Sequence, residues 1–125
     1  MCKLSQINTN YGSTINVADI KKASIRNIIE AASLCDKIDY IYLFGSSLEN
    51  RCNEQSDIDI AIISNISRSK LFKNKSYDEF TTKLYSNSLD QDYDILFFES
   101  QQELYHSNEL ICKEIVQNGQ LLYKR

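Results

Sequence analysis

Three apolar blocks separated by polar stretches organise this chain. Ile38–Phe44 carries apolar or aromatic residues on both faces, the pattern of a central strand covered on at least one side. Residues 57–63 have the period of a strand, so Asp57 and Asp59 project from one face while Ile58 and Ile60 project from the other. In residues 92–98, Asp94 shares a face with Leu96 and Phe98, opposite Tyr93, Ile95 and Phe97. A short terminal strand is expected at 121–123, after Gly119 as a helix stop.

Helical spacing fills the intervals. From Val17, the positions Ile20, Ile25, Ile28, Ile29, Ala32 and Cys35 recur at steps of three and four, with Asn16 as N-cap and Asp19 near the positive end of the helix dipole. Residues 76–89 put Tyr77, Phe80, Leu84 and Ser88 on one stripe, with Asp78 and Glu79 in the first turn. Residues 101–118 read as one or two helices carrying Leu104, Leu110, Ile111 and Ile115. Residues 1–14 are polar and aperiodic, compatible with either a frayed end or an edge strand. The short loop at 52–56 fits an antiparallel or mixed sheet better than a full crossover with a long helix. With no repeat, linker or proline, residues 1–125 read as one α/β (α+β) domain, a small mixed sheet packed with helices.

Composition narrows the function. Among 125 residues, 42% are hydrophobic and 25% charged, as in ordinary globular proteins, and a net charge of -3 gives no basic footprint for nucleic acid. No apolar run approaches the ~20 residues of a membrane span, and the N-terminus lacks a signal-peptide core, so a cytoplasmic location is expected. Cys2, Cys35, Cys52 and Cys112 are scattered, which suits free thiols better than a zinc site, with Cys35 and Cys112 as small core residues. The single histidine, His106, lies on an expected helix without an evident catalytic or metal-binding partner and reads as a surface residue.

The chemistry gathers between residues 45 and 59. Two carboxylates a dipeptide apart on a rigid strand repel unless a cation lies between them, and magnesium favours one or two carboxylates plus substrate phosphates. The Gly45-Ser46 turn complements that pair, because glycine lets backbone approach a phosphate and serine adds a hydroxyl and an N–H. A short helix at 47–51, starting with Ser47, would add N–H groups to the cradle. Arg68, Lys70, Lys73 and Lys75 belong to a solvated loop or short helical turn, or alternatively to a positive lip over the phosphates. Tyr40, Tyr42 and Tyr93 could reach a base, though core packing is the simpler role.

Gly45-Ser46, ten intervening residues and Asp57-x-Asp59 resemble the G-S-x10-D-x-D signature of the minimal nucleotidyltransferases, the small branch of the DNA polymerase beta-like superfamily. Leu43-Phe44 and Ser56 fit the same pattern. The resemblance implies the polymerase beta-like nucleotidyltransferase fold and metal-dependent nucleotidyl transfer. It implies Asp57, Asp59 and Asp94 as catalytic residues and ligands of Mg2+, with two ions, and Gly45, Ser46 and Ser47 as the nucleotide cradle. Asp92 competes for the role of third acid, but an ordinary strand end explains it better. By the same resemblance, NMP moves from ATP or another NTP to a protein, with the chain serving as antitoxin to a small helical HEPN-type RNase toxin that is adenylylated on a tyrosine. The alternatives are a small-molecule, antibiotic-type nucleotidyltransferase completed by a homo-oligomer, and an inactive module that blocks a partner by binding. The family commonly has arginine after Gly-Ser and a glycine further on. Here the run is Ser47-Leu48-Glu49-Asn50, with Asn50 as a stand-in for the glycine's left-handed turn and Arg51 as a displaced cation.

Overall fold

β-branched and aromatic side chains dominate Ile38–Phe44 (β3) and Ile58–Ser64 (β4), and both become central strands. The computed structural model describes residues 3–86 and 91–125. Its four-stranded sheet runs β5, β4, β3, β6, where β5 is Tyr93–Phe98 and β6 is Gln120–Lys124. As the short loop requires, β3 and β4 pair antiparallel; β4 and β5 run parallel, joined through helices. The sheet is therefore mixed.

Strand alternation divides the core in two. Ile58, Ile60 and Ile62 of β4 pack with Ile25 and Ile28 of α1 (Lys22–Ala32) and with Tyr77, Phe80 and Leu84 of α3 (Lys75–Ser86), the short α2 (Arg68–Leu71) adding Leu71. On the opposite face, Tyr42, Phe44, Ala61, Ile63 and Phe98 pack with Leu104 of α4 (Gln101–Tyr105) and with Cys112 and Ile115 of α5 (Leu110–Asn118). Asp59 lies on this second face, in the same alternation as Ala61 and Ile63.

The N-terminal third departs from expectation. Leu4–Asn8 (β1) and Thr14–Ala18 (β2) form an antiparallel hairpin, with Ile7, Ile15 and Val17 buried in the α1-side core. The helix expected from Val17 begins instead at Lys22 after a 3-10 turn at Asp19–Lys21, and Asn16 pairs with Gln6 as a strand residue rather than capping a helix. The cause is tertiary: pairing with β1 satisfies the backbone of residues 14–18 as well as a helical turn would. Between β4 and α3, residues 65–74 contain only the short helix α2, capped by the Ser67 hydroxyl. The helix expected at 76–89 ends at Ser86 among the described residues; its Ser88, like Cys2, lies outside them. Cys35, Cys52 and Cys112 are buried and form no disulfide, and His106 is exposed. Among the described residues, no helix is long and apolar enough to cross a membrane.

Candidate active site

The first residues of β4 and β5 carry the acids to one end of the sheet. Asp59 is the register partner of both Phe44 and Asp94, so the β3–Gly45 turn, the Asp59 carboxylate and the Asp94 carboxylate share one end of neighbouring strands. Asp57 precedes β4 and is exposed, as is Asp94, while Asp59 is half-buried. The Asp59 carboxyl is pushed up from 3.8 to about 6, first by burial and then by the charges of Asp94 and Asp57. Asp59 therefore feels the charge of both other predicted acids. Asp92 is not among the charges that raise Asp59; the Tyr85 hydroxyl is raised by burial first and then by the Asp92 charge.

Gly45 adopts φ +77, and a Cβ placed there would meet Asp59 Oδ2 at 2.3 Å. Only a residue without a side chain lets the turn close this tightly over the carboxylate. The 3-10 turn runs Gly45–Leu48, two residues earlier and shorter than the helix expected at 47–51. Ser46 is half-exposed at its start, whereas the Ser47 side chain is fully buried and its hydroxyl has no hydrogen-bond partner. Ser46 and Ser47 thus differ in access, a distinction that adjacency in sequence hides. Among the described residues only glycines have positive φ, so Asn50 does not take the left-handed turn, and the Arg51 guanidinium pairs with Glu49 on the surface.

The basic segment is elsewhere. Arg68 lines a cavity of about 210 Å3 with Ser64, Phe97 and Phe98, at the C-terminal ends of β4 and β5. Asp57 lies seven residues upstream of Ser64, roughly 20 Å at strand rise, so the positive-lip alternative fails for Arg68. Tyr42 is buried and hydrogen-bonded to Tyr105 and Gln101, and Tyr93 packs on the α1 side, which leaves core roles for both.

Among the described residues, no three His, Cys, Asp or Glu side chains close into a cage that would hold a metal unaided. The donors fit a different kind of site. Hard carboxylate oxygens at the adjoining ends of two strands, beside a glycine turn, suit a divalent cation that arrives with a nucleotide and keeps phosphate and water ligands.

Two further residues support this end of the sheet. Lys21 and Gln91 are buried beneath the loop that precedes β4 and are hydrogen-bonded to each other. Neither carries a motif. Lys21 falls at a polar position of an apparently amphipathic helix, and nothing local marks Gln91.

A comparison with curated protein sequences returns no match. Among solved structures, the chain is similar to one in a toxin–antitoxin complex crystallised with AMP-PNP: 26% identity, TM-score 0.53, covering 81% of this chain and 73% of that one. A mutant of the toxin–antitoxin pair MntA–HpeT shares the fold, at 24% identity and TM-score 0.54, over 81% of this chain and 73% of that one. The family model described as "Polymerase beta, Nucleotidyltransferase" matches residues 26–125, a span that holds the glycine turn and all three acids. The chain belongs to the polymerase beta nucleotidyltransferase family.

Proposed function

We propose that this chain is a Mg2+-dependent nucleotidyltransferase that moves AMP from ATP onto a small helical HEPN-type toxin, acting as its antitoxin in the cytoplasm. The observation that carries the reading is Asp59 in register with Asp94 beneath the Gly45 turn. A solved neighbour above 25% identity that is itself a toxin–antitoxin complex with AMP-PNP supports the partner and the nucleotide.

In this reading Asp57, Asp59 and Asp94 would hold two Mg2+ ions, which would supply positive charge to offset that of the triphosphate. Ser46 and the backbone of the Gly45 turn hold the phosphates. Asp94 takes the proton of the acceptor hydroxyl as its oxygen bonds to the α-phosphorus. The bond from that phosphorus to pyrophosphate breaks in the same displacement, so the leaving group carries away the electron pair.

The test is labelling with each α-labelled NTP and Mg2+ in host lysate, wild type beside Asp57→Asn/Asp59→Asn. A labelled protein band with ATP that requires both aspartates is expected. Label confined to small molecules would establish the antibiotic-type alternative instead. One observation favours the binding-module reading: Glu49 occupies Arg51, the displaced cation of the phosphate turn. No label with any nucleotide, alongside a partner that still co-purifies, would establish that reading and end the first.

A further inference from the structure

Lysine is almost never fully buried without a partner, yet Lys21 is 2% exposed and makes no ion pair among the described residues. Its Nζ instead donates to the backbone oxygen of Glu54 at 3.0 Å, to that of Ser56 at 2.7 Å and to Gln91 Oε1 at 2.7 Å. An ammonium has three N–H donors, and here each has an acceptor. Gln91 Nε2 donates in turn to the backbone oxygens of Ser56 at 3.2 Å and Asp92 at 2.7 Å. The Ile58 N–H then joins the Asp92 oxygen at 3.0 Å. One buried side chain thus ties the residue before Asp57 to the segment that leads into Asp94.

The tie sits where the strands most need it. β4 and β5 are parallel and connected through helices, so no tight turn sets their register, and the acids occupy their first residues, where strands fray. A slip of one residue would turn Asp94 to the opposite face. Further along, Ile95 and Phe97 hold β5 by packing, but at the entrance the Lys21–Gln91 clasp does so.

We infer that Lys21 is a positioning residue for the acid site: through Ser56 and Gln91 it sets Asp57 and Asp94 against each other for a metal-bound nucleotide. The inference rests on the transferase reading above and adds to it a requirement outside the signature motif. A purely structural lysine would behave differently: its loss would leave buried acceptors unpaired and lower stability, without changing the metal affinity of the folded protein.

Lys21→Met is the test, with Mn2+ titrated in the presence of saturating AMP-PNP and followed by water-proton relaxation. Residues that orient ligands from outside the coordination sphere typically change metal affinity 10- to 100-fold, so a loss of about tenfold is expected. The labelling rate at saturating Mn2+ and ATP should fall as well, while the folded fraction by circular dichroism stays that of wild type. Mn2+ affinity within twofold of wild type would overturn the inference, whatever the melting temperature does. If Lys21→Met does not fold, Gln91→Leu carries the comparison. It keeps the lysine but breaks the clasp, and a weakening of about threefold is expected, with an unchanged affinity again overturning the inference. Wild type that binds Mn2+ and labels nothing would sink the transferase reading while the affinity comparison still decided Lys21. Normal labelling by Lys21→Met would sink Lys21 alone.

Discussion

At Asp59, desolvation and two neighbouring carboxylates act in the same direction, raising the carboxyl from 3.8 to about 6. Within that window the unfolded chain has released the proton and the folded protein still holds it. This group's contribution to stability therefore falls as pH rises through the window and is constant above it. Asp59→Asn has no proton to lose, so its melting temperature should gain on that of metal-free wild type between pH 4 and 6 and then run parallel. Mg2+ with ATP should close the gap in wild type alone, since bound cation replaces the proton. Thermal melts across that range check both parts, and a flat difference would mean that Asp59 is not desolvated. The acids were legible in sequence because alternation puts Asp57 and Asp59 on one face wherever the strand lies. The raised carboxyl was not, because it depends first on burial in the folded sheet and then on Asp94 arriving from a remote segment.

At the scale of elements, the β3–Gly45–β4 connection is the part most completely written in local sequence. Its strands, its antiparallel pairing and its glycine turn all follow from residues 38–63. Gly45→Ala should cost about 1–2 kcal/mol for the left-handed backbone alone, and more because the new Cβ meets Asp59 Oδ2. Gly12→Ala supplies the control, since Gly12 has φ +86 with nothing within 4 Å of its would-be Cβ. Urea denaturation of the two variants separates backbone strain from the Asp59 contact. Gly45→Ala alone should also weaken Mn2+·AMP-PNP binding. The 3-10 geometry and the buried Ser47 hydroxyl were not legible. Whether a four-residue turn points a serine outward or inward is decided by what packs against it, and here β2 and β4 both do.

Over the whole molecule, the N-terminal hairpin closes the far edge of the sheet. Asn10 Nδ2 donates to the Lys124 backbone oxygen at 2.6 Å and its Oδ1 accepts from Lys124 N–H at 3.1 Å, while the Tyr11 hydroxyl donates to the Leu121 carbonyl. One side-chain amide thus does the work of a neighbouring strand on the outer edge of β6, which would otherwise offer unpaired backbone to another chain. Asn10→Ala should cost about 1 kcal/mol and raise concentration-dependent association, read by light scattering. Monomeric behaviour at all concentrations would show that the edge is protected by other means. Local pattern determined the strands, the acid faces and the glycine turn, because periodicities of two and 3.6 and the φ freedom of glycine act over a few residues and need no partner. Tertiary structure decided the rest. Residues 14–18 became a strand because β1 was there to pair with them, Lys21 left the surface because Ser56 and Gln91 offered acceptors, and Asp94 became the neighbour of Asp59 only when a parallel register was set across two helices. The last two depend on contacts between residues far apart in the chain, which no local spacing encodes, and the first on a partner strand outside the residues that carry the helical spacing.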